Sequence, residues 1–170
     1  LGQLCVPSSA GPHPVIALNH GGFAGLTDEL TTRPQCSWAM GNGWIGVEAQ
    51  YRGQSDPGFG KSGGSIELCK GEVTDIRELL HIAKNRCDAD PSRVLAMGGS
   101  HGGCNTLQML VQQEPLRAAL DVVGPTDMKA LYEFHDSNRT TGDATEQAIH
   151  NGLADDFKLW IGGTPAEVPD

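Results

Sequence analysis

Apolar positions in this chain fall into short continuous runs and longer stretches with helical spacing. Pro14-Val15-Ile16-Ala17-Leu18-Asn19 is one such run, ending in His20-Gly21-Gly22. It has the pattern of a buried strand feeding a glycine loop. A short helix fits Gln35 to Met40, and Trp44 to Ala49 reads as a second strand. Residues 52–66 form a Gly/Ser-rich loop of the kind that lies on the surface and carries function. From Glu72 to Asn85, Val73, Ile76, Leu79, Leu80 and Ala83 recur at three- and four-residue steps, giving one apolar helical face. Asp88 to Ser92 spells a turn and Arg93 to Met97 a third strand. Gly102 to Gln113 returns to helical spacing through Leu107, Leu110 and Val111, and Ala118 to Val123 makes a fourth strand. Residues 127–134 and 143–160 are helical and more polar. Short apolar strands alternating with amphipathic helices predict an α/β fold, a mostly parallel sheet covered on both faces within one domain over residues 1–170.

Composition narrows the function classes. The 170 residues are 38% hydrophobic, enough for a real core and too apolar for a disordered chain. Twelve basic against 21 acidic side chains give a net charge of −9, which argues against a nucleic-acid surface. No apolar run approaches the ~20 residues of a membrane span. The 23 glycines are about twice the usual ~7% share and point to tight functional loops. The chain opens on Leu1 with no charged-then-apolar leader, so a processed or cut start is expected and the compartment is left open. Five cysteines without a C-x-x-C spacing imply neither a zinc knuckle nor a full disulfide set. Cys69 and Cys87 flank the predicted helix, which would hold them roughly 24 Å apart, beyond disulfide reach. His101-x-x-Cys104 is the one close His/Cys pair, and Cys104 is expected to face the core, so no metal is expected.

Four glycine patterns compete for the chemistry. Gly41-Asn42-Gly43-Trp44-Ile45-Gly46 matches a dinucleotide fingerprint but precedes a strand, whereas that motif must follow a strand and open a helix. Gly60-Lys61-Ser62 resembles the end of a phosphate loop, yet Ser55 stands where its first glycine belongs. Gly60-Lys61-Ser62-Gly63-Gly64 also matches G-x-S-x-G, but with no strand before it. Gly98-Gly99-Ser100-His101-Gly102-Gly103 matches the same pattern between a strand and a helix, the setting a nucleophile elbow requires. Such a turn is strained, so the residues two places either side of the serine must be small. His20-Gly21-Gly22 closes the first strand in the manner of the H-G-G loops that supply the second oxyanion donor.

An ordered series of motifs extends this reading. Asn19-His20-Gly21-Gly22, Gln50-Tyr51-Arg52-Gly53 leading into Gly58 to Gly64, and Gly71-Glu72-Val73-Thr74-Asp75 come first. Asp90-Pro91-Ser92-Arg93-Val94, the elbow, and Val123-Gly124-Pro125-Thr126-Asp127 follow in order. Together they resemble α/β-hydrolases of the prolyl oligopeptidase family over residues 13–130. The resemblance implies that Ser100 is the nucleophile of a serine hydrolase, forming an acyl-enzyme without a cofactor. It implies the backbone N–H of His101 as one oxyanion donor and that of Gly22, or less directly Gly21, as the other. Arg52 and Asp75 would form an ion pair supporting the glycine loop, with a solvated surface role as the alternative. A peptide or small ester is the implied substrate. A peptidase of the family type leads, and a carboxylesterase or acetyl esterase is the alternative.

The triad is where the resemblance breaks. In α/β-hydrolases the acid and then the histidine follow later core strands. No apolar β-run follows Val123. The expected fold is therefore an α/β-hydrolase-type sheet lacking the C-terminal strands, part of a longer catalytic domain. His135 or His150, oriented by Asp136, Asp143, Asp155 or Asp156, is the internal alternative for the base. Without a base the chain alone would be nearly inactive, and a non-catalytic hydrolase-like module is a further alternative. The open edge along Ala118–Val123 would favour self-association.

Overall fold

Seven consecutive residues, His13–Asn19, are buried at every position, as a strand covered on both faces must be. A computed structural model describes residues 1–26, 34–56, 58 and 60–168. In chain order its elements are β1 (Gly2–Cys5), β2 (His13–Asn19), α1 (Pro34–Gly41), β3 (Ile45–Ala49), β4 (Ser55–Asp56), β5 (Gly60–Lys61), α2 (Gly71–Lys84), β6 (Ala89–Gly99), α3 (His101–Val111), β7 (Ala118–Val122), α4 (Met128–Ser137) and α5 (Ala144–Ile161). The chain divides into two compact units, Leu1–Gly124 and Pro125–Asp170.

In the first unit the sheet runs β1-β3-β2-β6-β7. β3, β2, β6 and β7 are parallel and β1 is antiparallel to β3, so the sheet is mostly parallel as expected. Val15, Ala17, Val47, Val94 and Ala96 meet Val73, Ile76, Leu80 and Ala83 of α2 and Met109 of α3 on one face. Ile16 and Leu18 meet Ala39 of α1 on the other. Fully burying a side chain such as Ile76 or Leu80 stabilises by about 1.5–3 kcal/mol, which is what fixes α2 on the sheet. After β2 the chain steps outward to β3, then crosses back to β6 on the far side of β2. This reversal is a topological switch point, where the carboxyl ends of neighbouring strands open a crevice. His20 and Ser100 follow directly on those two strand ends.

Three features depart from the sequence reading. β1 is an additional strand: four half-polar residues at a sheet edge give no run long enough to register. β6 starts at Ala89 rather than Arg93 because Ala89 pairs with His13 across a register shift that absorbs the Asp90–Ser92 turn. The cysteines, whose pairing the sequence leaves open, are the third. Cys5–Cys36 and Cys69–Cys104 are disulfides with Cα–Cα separations of 5.7 and 5.9 Å, leaving Cys87 free and exposed. Cys104 is buried as expected, but bonded to Cys69. The partners stand 31 and 35 residues apart on different elements, a separation that no local spacing marks. β7 is an edge strand with Leu120 and Val122 exposed.

The second unit is a hairpin of α4 and α5. Asp127 caps α4 by accepting from the Ala130 N–H, and Asp143 opens α5 with a reciprocal capping box to Glu146. Tyr132 packs edge-on against Phe157, and Arg139 bonds both Asp136 and Asp155. Among the described residues, no helix is long and apolar enough to cross a membrane.

Candidate active site

Ser100 stands between β6 and α3 with φ 53° and ψ −122°, outside the regions that non-glycine residues ordinarily occupy. Its backbone N–H donates to Val122 O at 2.9 Å and its carbonyl accepts from Cys104 N at 3.1 Å. The side chain is exposed while the six residues after it are buried. Glycine is required on both flanks. A Cβ on Gly98 would strike the Gly102 carbonyl, and one on Gly102 would strike the Asn19 carbonyl. Gly103 is equally closed, by Asp121 and Gly124. The small residues two places either side of Ser100 are therefore a packing requirement, as the sequence reading held. A strained, exposed serine at a helix N-terminus is also what a nucleophile needs.

The glycine loop lies alongside. A Cβ on Gly21 would come within 3.0 Å of Gly99 O and 3.4 Å of Ser100 Cβ, so this loop touches the elbow. Gly22 is exposed at φ +72° with open space around it. His20 Nδ1 is 3.0 Å from Gly21 O, and its ring stacks on Tyr51 at 4.1 Å. The Tyr51 hydroxyl donates to His20 O at 3.2 Å. Burial is the main cause that holds the Tyr51 phenol neutral, its pKa raised well above the usual range. His101 Nδ1 is 3.2 Å from Gly22 O, a carbonyl that also accepts from Gln54 Nε2 at 3.4 Å. A cavity of about 210 Å³ opens beside the turn, between His20, Gly98, Gly99 and Val122.

Arg52 and Asp75 form the expected ion pair. Arg52 Nη2 is 3.0 Å from Asp75 Oδ1, its Nε 3.1 Å from Oδ2, and its Nη1 2.8 Å from Glu67. These hydrogen bonds raise the guanidinium pKa above its ordinary value. The Arg52 guanidinium also packs where any side chain at position 71 would have to go. The remaining glycine motifs are structural. Gly41 to Trp44 is the turn from α1 into β3, with Trp44 N bonded to Ala39 O at 2.8 Å. Gly60 lies in the β4–β5 hairpin, and Ser62 is buried, donating to Gln50 O at 3.0 Å. That excludes it as an exposed nucleophile.

Each of the six histidines has a partner for at least one ring nitrogen. His13 bonds Gly43 O and Ser9 O, His20 bonds Gly21 O, and His101 bonds Gly22 O. His81 meets Asn85, and His135 and His150 meet each other at 2.9 Å through Nδ1. The two candidate internal bases thus pair together in the second unit. Of Asp136, Asp143, Asp155 and Asp156, the first three serve Arg139 or cap α5.

Several supporting residues were not legible in advance. Asn19 Nδ2 donates to Thr106 Oγ1 at 2.8 Å, and that hydroxyl donates to Gly102 O at 2.9 Å, tying β2 to the elbow helix. Gln54, which donates to Gly22 O, and Glu72, which accepts from Glu67 N, are both buried. The signal for Gln54 was a polar residue inside a loop segment, and Glu72 stood within the Gly71–Asp75 motif.

Comparison with known proteins gives the same frame. A model of the prolyl oligopeptidase family matches residues 31–161. The curated relative dipeptidyl peptidase family member 6 of Caenorhabditis elegans is 30% identical over 126 residues, 72% of this chain and 17% of that protein. The chain thus spans about a sixth of that relative's length. Acylaminoacyl peptidase of Pyrococcus horikoshii aligns with 98% of this chain and 25% of its own, at 21% identity and a TM-score of 0.70. A bacterial heroin esterase aligns with 75% of this chain and 40% of its own, at 20% identity and a TM-score of 0.55. The shared architecture is the α/β-hydrolase fold.

Proposed function

Since the chain belongs to the prolyl oligopeptidase family, we propose that it serves as the nucleophile-bearing part of a serine hydrolase that opens a peptide or ester bond through an acyl-enzyme on Ser100. One observation carries the reading above the others: Ser100 is held exposed at φ 53° on the turn between β6 and α3, beside the His20–Gly22 loop. Ser100 Oγ attacks the carbonyl carbon, and its proton passes to a base. The developing oxyanion is met by the His101 N–H at the start of α3 and by the Gly22 N–H, with Gly21 as the alternative donor. Losing one such donor costs about 3 kcal/mol of barrier. No cofactor enters this chemistry.

The pairing of the two internal candidates, His135 and His150, with each other leads this reading to take the base and its acid from sequence other than residues 1–170. A peptidase is favoured over a carboxylesterase or acetyl esterase because a curated relative 30% identical to this chain is named a dipeptidyl peptidase. A panel of p-nitrophenyl esters and dipeptidyl anilides, run on the whole protein and on its Ser100→Ala variant, tests both points. Anilide turnover abolished by the substitution supports a peptidase, and ester turnover alone supports the esterase alternative. A second reading, a hydrolase-like module without turnover, draws on the same histidine partners. Its signature would be no Ser100-dependent turnover of either class.

A further inference from the structure

The residue after the nucleophile is a histidine whose ring is 3% exposed. It is enclosed by Phe23, with centroids 4.9 Å apart, and by the edge of Tyr51 at 5.4 Å. A ring placed this deep is expected to be filler, yet one nitrogen has a specific target. His101 Nδ1 lies 3.2 Å from Gly22 O. A carbonyl only accepts, so Nδ1 carries the hydrogen. Burial, the main cause, lowers the ring's pKa below the ordinary histidine value, opposed first by the hydrogen bond to Gly22 and then by nearby Glu72.

Gly22 is in need of such a contact. It has no side chain, a left-handed backbone at φ +72°, and open space where a Cβ would be. With no side chain to anchor it, its position depends on what its two flanking peptides bond to. The peptide before it is held through Gly21 O by His20 Nδ1 at 3.0 Å, on a ring stacked against Tyr51. The peptide after it is held through Gly22 O by His101 and, more weakly at 3.4 Å, by Gln54. Of these contacts, the one from His101 comes from the elbow itself.

We propose that the His101 side chain is a positioning residue that clamps Gly22 to the elbow and so sets the spacing of the two oxyanion donors. One residue then supplies the first donor through its backbone N–H and fixes the second through its ring. This rests on the oxyanion roles given above. The clamp acts where charge develops in the transition state, so its loss should appear in kcat and leave substrate binding nearly unchanged.

The test compares His101→Phe, which keeps a buried ring without the donor, with His101→Asn, whose Nδ2 occupies the position of Nδ1. Both are assayed in the whole protein beside wild type and Ser100→Ala, together with inhibition by a peptide boronic acid. His101→Phe is expected to lower kcat by about tenfold or more with KM within about twofold, and to weaken the boronate in parallel. His101→Asn is expected to recover most of both. Circular dichroism and melting check that each variant folds; should His101→Phe not fold, His101→Leu takes its place. Equal kcat in the ring-only and amide variants would overturn the clamp while leaving Ser100 as nucleophile. Wild-type activity unaffected by Ser100→Ala would instead overturn the functional reading, and the clamp with it.

Discussion

The side-chain amide of Asn19 donates to the hydroxyl of Thr106 at 2.8 Å, joining the last residue of β2 to the elbow helix. Both residues are buried. The same hydroxyl donates onward to Gly102 O, so the glycine loop and the elbow share one rigid seat. Thr106→Val keeps the shape but leaves the buried Asn19 amide to its weaker contact with Met109 Sδ at 3.7 Å. A destabilisation of about 1–3 kcal/mol is expected in urea unfolding, with Asn19→Leu/Thr106→Val milder than the sum of its parts.

The elbow glycines differ in what they tolerate. Gly98→Ala and Gly102→Ala each drive a methyl into a backbone carbonyl that no rotamer can clear. Both should lose more than about 3 kcal/mol or fail to fold. Gly22→Ala meets no atom and bears only the left-handed backbone, worth about 1–2 kcal/mol. Thermal melts of the three variants should rank them in that order, with Gly22→Ala folded and impaired chiefly in kcat.

The parallel core was legible because its strands are continuous apolar runs and α2 repeats at helical spacing; Val15, Ala17, Val73, Ile76 and Leu80 all lie in the core found. The turn that carries Ser100 was legible because strand, turn and helix follow one another in sequence, with glycines at 98 and 102. Long-range pairings were not. Cys5–Cys36, Cys69–Cys104 and Asn19–Thr106 join residues whose spacing is arbitrary in sequence and set only by how the sheet closes. The His101 ring was similarly hidden, since a buried donor aimed at a glycine carbonyl leaves no periodic trace.

The two disulfides close spans of 31 and 35 residues, and Cys87 is the free thiol. Thiol titration of the denatured, unreduced chain is expected to find one reactive group, rising to five after reduction. By chain entropy each bridge contributes about 3–4 kcal/mol, so a reductant should lower the melting temperature markedly. Five thiols before reduction would remove both bridges from the account.

Acid should destabilise the fold before the carboxylates titrate. Burial lowers the pKa of His101, and burial together with His150 lowers that of His135, both from 6.5. The unfolded chain therefore takes up these protons first, and stability present above about pH 6.5 falls as pH drops below it. Melting temperature should decline over that range, and His101→Asn/His135→Gln should flatten the decline. An unchanged slope in the double variant would assign the acid sensitivity to other groups.

The central claim, that Ser100 is the nucleophile, is tested most directly by intact mass of the whole protein before and after a fluorophosphonate probe, with peptide mapping of the adduct. One adduct located on Ser100, and absent from Ser100→Ala, is the expected result. No adduct, or one on another serine such as Ser62, would contradict it.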